Sequence, residues 1–239
     1  VNQVLLPGSG KTEAFVMTYL SGAIVPAALN VRPDFGVLFN PWMGNNPSGL
    51  GVFACDNGVF TEYLSKGRKP FSLPRFLGLL DKWAHLKGQA LFAAAPDVVG
   101  DWRATLERSY PVLPIIRSLG YRAALVAQNG LEQHLAKIHW SAFDVLFLGG
   151  GPEARLATAD NPRGEWKLSD GARRLCDLAL RHGKAIHMGR VNSLLRLRRA
   201  AAFGCASADG TYLTFRGRDR GVPEIHQWLD SINLKGVLA

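Results

Sequence analysis

Short apolar runs, each ending near a polar residue or glycine and separated by amphipathic stretches, limit this chain more than any other feature. The runs are GVLFNPW, GVFACD, QALFAAAPD, YRAALVAQ, DVLFLGGG, KAIHMG and CASADG. Between them lie PRFLGLLDKWAHL, ATLERSYPVLPIIRSLG, SDGARRLCDLALRHG and SLLRLRRAAAFG. Runs that are apolar throughout read as strands buried on both faces, and their alternation with helices reads as parallel βαβ units. About eight such units at this length are the content of a (β/α)₈ barrel, although an open doubly wound sheet gives similar text.

The polar residues choose between the two. Asp56, Asp97, Gln128, the Gly149-Gly150-Gly151 run, His187-Met188-Gly189 and Asp209 all fall at or just past the C-terminal end of a strand. A barrel gathers those ends on one face, whereas an open sheet does not bring so many strands to one crevice. The expectation is an α/β protein, a TIM-type (β/α)₈ barrel formed as a single domain over residues 1–239.

The 239 residues are 47% hydrophobic and 20% charged, an ordinary globular composition. Lys, Arg, Gly or Pro interrupts every apolar run before it reaches membrane-spanning length, and the start lacks the layout of a secretory signal. Cys55, Cys176 and Cys205 form no Cys-x-x-Cys pair, so neither a disulfide framework nor a zinc ribbon is written here. A reducing, cytoplasmic setting is the expectation. The formal net charge of +9 favours a polyanionic partner, with nucleic acid ahead of a membrane surface.

Two features ask for chemistry. GSGKT at residues 8–12 supplies the end of a phosphate-binding loop, but Leu5 stands where that motif needs its first Gly. It is read as a turn where the first strand passes into its loop, near the active face, with Lys11 either touching phosphate or idle. Asp56, Asp97 and Asp209 close apolar runs in which an unpaired carboxylate is costly. Each either caps the following helix or belongs to a shared pocket, where carboxylates divide into a nucleophile and a proton carrier.

At ACDNGVF the chain resembles the Asp-Ser-Gly-Gly-Phe/Tyr motif of the tRNA-guanine transglycosylases (queuine tRNA-ribosyltransferases), TIM-barrel enzymes that exchange guanine for a 7-deazaguanine. The resemblance continues in order through PDVVGD, LVAQNG, FLGGG and IHMGRVNSLLRLRRAAAFGCASAD, over roughly residues 50 to 215. CASADG is more similar to the smaller phage and bacterial relatives that act on DNA guanine. By matching position, the resemblance implies that Asp209 is the nucleophile on C1′ and Asp56 the general acid and base. It implies that Asp97 and Gln128 read the base edge with the backbone at Gly149 and Gly150. Phe60 and Met188 would sandwich the ring, with Asn57 and Gly150 selecting the incoming base. No metal or cofactor is implied. A free 7-deazaguanine base is the co-substrate, and a protein partner or a homodimer is allowed.

Asn57 and Val59 depart from the Ser and second Gly of that motif, and the Cys-x-Cys-x-x-Cys zinc subdomain of the tRNA enzymes is absent from the sequence. DNA is therefore expected ahead of tRNA. Arg196, Arg198 and Arg199 on one helix, and Arg216, Arg218 and Arg220 after the last strand, are candidates to track a phosphate backbone. Within a duplex the target base must be flipped out, and Trp102 is weighed as a wedge against plain packing on its helix. The rivals are a metal-dependent barrel hydrolase using Asp56, Asp97, His187 and Asp209, and a nucleic-acid-binding subunit without catalysis.

Overall fold

Side chains alternate direction along every strand, and that period of two sorts the chain into two cores. A computed structural model describes residues 16–22, 32–42, 51–151, 153, 156–159 and 161–233. Its strands are β1 (Thr18–Ser21), β2 (Phe35–Phe39), β3 (Phe53–Cys55), β4 (Ala90–Ala94), β5 (Ala123–Ala127), β6 (Val145–Leu148), β7 (Ala185–Met188) and β8 (Ser207–Gly210). All neighbours are parallel and β8 pairs with β1, so the sheet closes in sequence order. This is the (β/α)₈ barrel the sequence predicts.

Inward positions such as Leu20, Leu38, Phe92, Val126 and Phe147 fill the barrel. Outward positions such as Val37, Leu125, Leu146, Ile186, Met188 and Ala208 pack under the helices. Phe92 and Phe147 meet edge to face at 5.9 Å in the barrel interior. Each full burial of a side chain of this size is worth about 2–3 kcal/mol.

The helices are α1 (Val59–Leu64), α2 (Leu73–Lys82), α3 (Trp102–Ser109), α4 (Leu113–Ser118), α5 (Asp170–Arg181), α6 (Leu194–Ala202), α7 (Tyr212–Arg216) and α8 (Arg218–Asn233). The stretch read as one amphipathic segment over 104–120 is two helices. Pro111 cannot donate within a helix, and Pro114 is tolerated in the first turn of α4. Between β5 and β6 the chain makes short 3₁₀ turns instead of an α-helix.

The first strand also differs from the reading. β1 begins at Thr18, so GSGKT precedes it in the chain and does not follow the barrel's first strand. Residues 8–12, with Lys11, lie outside the described residues. α8 starts at the mouth after β8 and ends at the barrel floor. There the Asn233 side chain accepts from the Met17 N–H at 2.8 Å and donates to Asp34 Oδ2 at 2.8 Å. Arg32 ties Asp34 to Asp230 of the same helix at 2.8 and 2.6 Å.

Candidate active site

Continuing β3, β5, β6, β7 and β8 by their period of two leads to one place. Inward residues Ala54, Val126 and Phe147 are followed two positions on by Asp56, Gln128 and Gly149. On the next two strands His187 is followed by Gly189, and Ser207 by Asp209. Asp56, Gln128, Gly149, Gly189 and Asp209 line a single cavity with Leu38, Asn57, Phe60, Asp97, Val99, Gly150 and Arg190. The three carboxylates therefore meet at the C-terminal mouth. None is the N-cap of the helix that follows it, since Gly58, Asp101 and Thr211 hold those positions.

Asp97 is held by two amides. Asn57 Nδ2 donates to its Oδ1 at 3.0 Å and Gln128 Nε2 to its Oδ2 at 2.6 Å. Asn57 is anchored in turn by the Ala95 carbonyl at 2.8 Å and by the Val59 N–H at 2.8 Å. Gln128 Oε1 accepts from the backbone N–H of Gly100 at 2.9 Å and of Gly150 at 3.1 Å. Both amides, read in sequence as contacts to a base, work here as clamps that orient Asp97 and the surrounding loops. Burial pushes the Asp97 carboxyl above its usual range, against the two amides and the nearby Arg108 guanidinium.

Asp56 is enclosed by protein but keeps an edge open to the cavity. Burial, and then the charges of Asp97 and Asp209, push its pKa up to about 7, while backbone N–H groups of Gly58 and Asn57 oppose the shift. A carboxyl poised there can both give and take a proton at neutral pH.

Asp209 is placed differently. Its Oδ1 lies 2.9 Å from His187 Nε2, and its Oδ2 accepts the Arg190 N–H at 3.3 Å. His187 Nδ1 lies 2.8 Å from Ser207 Oγ, with the ring between Phe92 at 4.8 Å and Phe147 at 4.5 Å. The tautomer protonated at Nε2 donates to Asp209 and accepts the Ser207 hydroxyl. One oxygen of Asp209 is thereby fixed by the barrel interior and the carboxylate edge turns to the cavity.

Sequence reasoning missed two cations. Arg190, just past β7, is in the left-handed region at φ 58° and places its guanidinium 4.9 Å from the Phe60 ring centre. Lys167 lies behind the site, 2% exposed, donating to the carbonyls of Gly189 at 2.6 Å and Arg190 at 3.2 Å. Burial, and then Arg190, pull its pKa down to about 7. Gly-Arg directly after the last residue of β7, at the mouth, is a signal for Arg190. GEWKLSD carries none for Lys167, because only the fold brings that loop under β7.

Other expectations need correction. Met188 does not face the ring site: it is an outward residue of β7, fully buried under the helices, so Phe60 is the one proposed sandwich residue on the cavity. Arg196 pairs with Glu165 at 2.7 Å, and Arg199, in the last turn of α6 at the floor end, lies over Phe203. Arg216 spends its guanidinium on Glu224 at 2.6 Å. Arg218 and Arg220 are exposed at the mouth end of α8. Trp102 stacks on His134 at 4.1 Å, the packing alternative to a wedge. His187, the histidine of the metal reading, has both ring nitrogens on Ser207 and Asp209. Among the described residues no group of three His, Cys, Asp or Glu side chains is arranged to hold a metal ion. No helix among them is long and apolar enough to cross a membrane.

No protein-family model matches the sequence, and no curated protein sequence matches it. The backbone is similar to solved structures. Deoxyribose phosphate aldolase from Aeropyrum pernix aligns with a TM-score of 0.53 at 12% identity, covering 89% of this chain and 90% of that one. The tryptophan synthase A-subunit from Pyrococcus furiosus aligns with a TM-score of 0.45 at 11% identity, covering 94% of this chain and 98% of that one. The aldolase similarity is one of fold and agrees with the closed eight-stranded barrel.

Proposed function

We propose that the protein is a base-exchange enzyme, replacing guanine in a nucleic acid, DNA ahead of tRNA, with a 7-deazaguanine. The observation that carries the reading is the unlike setting of two carboxylates on one cavity. Asp56 is poised near neutrality, while Asp209 is held by an imidazole and a peptide N–H. In the first step an Asp209 oxygen bonds to C1′ as the C1′–N9 bond breaks, and protonated Asp56 gives its proton to the departing purine. In the second, Asp56 removes the N9 proton of the incoming base, whose nitrogen displaces Asp209 from C1′. Atoms balance without a metal or nucleotide cofactor, and the covalent intermediate conserves the energy of the glycosidic bond.

Asp97, fixed by Asn57 and Gln128, faces the cavity where the N–H edge of a guanine would lie, and Phe60 offers a ring face. Exposed Lys66, Arg68 and Lys69 in the loop after α1, with Arg218 and Arg220, give the mouth a positive rim suited to phosphates. A duplex base reaches the cavity only when flipped.

Mass spectrometry of nucleosides from DNA and from tRNA, each incubated with the protein and a 7-deazaguanine, tests the reading. Incorporation into one polymer, abolished by Asp209→Ala, is the expected result. Incorporation into neither rejects it.

A further inference from the structure

The Arg190 side chain lies across the cavity it lines, along with Phe60, Gly149 and Gly150. Its guanidinium sits over the Phe60 ring at 4.9 Å and donates through Nη2 to the Gly150 carbonyl and, at 3.3 Å, to the Gly149 carbonyl. These partners are a neutral ring and two peptide carbonyls. They hold a cation less firmly than a carboxylate does.

The backbone of the same residue is pinned. Lys167 Nζ donates to the Gly189 and Arg190 carbonyls, and the Arg190 N–H points at Asp209 Oδ2. A Cβ at Gly189 would lie 2.6 Å from the Phe147 ring, so the chain has no slack on that side. The side chain can therefore leave by rotating its own torsions while its N–H stays on Asp209.

We propose that the Arg190 guanidinium is an internal placeholder: a flat, donor-bearing group that fills the ring site of the free protein and is displaced by the entering heterocycle. The guanidinium and a planar base with N–H donors on its edge use one set of contacts, a face on Phe60 and donation to the Gly149 and Gly150 carbonyls. Both cannot occupy it together. The identity of the heterocycle rests on the base-exchange reading, whereas the displacement does not. Once out, the guanidinium lies at a positive mouth, free to meet a phosphate of the bound strand.

Calorimetric titration of methylguanidinium, and separately of guanine and 7-deazaguanine, into wild type, Arg190→Ala and Arg190→Lys tests this. Methylguanidinium is expected to bind Arg190→Ala saturably and wild type not at all, because only the variant has vacated the site. Base affinity is expected to rise about tenfold in Arg190→Ala, the size of one lost competing cation–π contact. Arg190→Lys, charged but without a planar fork, is expected to bind base more tightly than wild type, which guards against a folding defect in the alanine variant. Weaker base binding in both variants, or no methylguanidinium binding to Arg190→Ala, overturns the placeholder. Methylguanidinium binding to Arg190→Ala with no base bound by any form upholds the placeholder and rejects the base-exchange reading.

Discussion

His187 Nε2 lies 2.9 Å from Asp209 Oδ1, and the opposite ring nitrogen lies 2.8 Å from Ser207 Oγ, so a buried imidazole joins two inward residues of β8. In the proposed attack of Asp209 on C1′, a carboxylate gains from having its other oxygen fixed. His187→Phe keeps the aromatic packing with Phe92 and Phe147 but removes the donor. The expected loss is about 100-fold in kcat with KM little changed, from removal of one positioned donor. Steady-state kinetics on a DNA substrate checks it; a fall in kcat/KM carried by KM alone would show a structural role only.

Asp56 sets a pH dependence of known sign. In the proposed base exchange its proton must be present when the purine leaves, so the first step is expected to slow as pH rises through about 7. Stability follows the same group. Between its ordinary range near pH 4 and about 7 the unfolded chain loses this proton while the folded one keeps it. Stability therefore falls across that window and is level above it. Asp56→Asn removes the effect, and denaturant unfolding is expected to show it more stable than wild type at pH 8 by about 1–2 kcal/mol, and no more stable at pH 4.

The parts of this site visible in the sequence are those that follow from strand period. Asp56, Gln128, Gly149 and Asp209 end apolar runs, and alternation alone sends them inward. The same rule applied to KAIHMG makes His187 inward and Met188 outward, and the family pattern misplaced Met188 by overriding it. Arg190 and Lys167 were less legible for different reasons. Arg190 reaches the cavity by folding back from a left-handed residue, and Lys167 arrives from a loop some twenty residues before β7. The start of β1 was misread because VNQVLLPG has the apolar run and turn of a strand end, whereas TYLS owes its place to pairing with β2 and β8. Such pairing has no signature in four residues.

Lys167 gives the opposite pH sign. Its amine is held at about 7 in the folded chain and titrates far higher when unfolded. From pH 7 to about 10 the unfolded chain holds a proton that the folded one lacks, so stability rises with pH there, by about 2–4 kcal/mol from this group. Lys167→Met is expected to lack that rise, and to be less stable than wild type at pH 9 because the Gly189 carbonyl loses its donor. Unfolding curves of both forms at pH 7 and pH 9 make the comparison.

Gly150 has φ 68°, and a Cβ there would come within 2.5 Å of the Trp166 ring and 2.9 Å of Asn129 Oδ1. Neither neighbour is free to move, since Trp166 Nε1 donates to Glu132 at 2.9 Å and Asn129 Oδ1 accepts the Gly151 N–H at 2.7 Å. Gly150→Ala is expected to cost about 2–3 kcal/mol from strained backbone and overpacking. It also displaces the N–H that Gln128 uses to steady Asp97. A lowered Tm with base binding weakened more than stability explains is the expected pattern.

Arg218 and Arg220 separate nucleic-acid binding from a merely basic surface. Among the arginines proposed for the backbone, Arg196 and Arg216 are already committed to Glu165 and Glu224, and Arg199 lies at the floor end of its helix. An arginine already paired within the protein releases fewer counterions on binding, and one at the floor releases none to a strand at the mouth. Arg218→Gln and Arg220→Gln are each expected to lower the slope of log K against log salt by about 1, equally for all sequences, because phosphate contacts carry no base preference. Arg199→Gln is expected to leave the slope unchanged. Fluorescence anisotropy with single-stranded DNA over a salt series measures all three. A slope that ignores Arg218 and Arg220 while binding persists would move the strand to the Lys66–Lys69 side of the mouth, where the same titration on Lys66→Gln and Lys69→Gln decides.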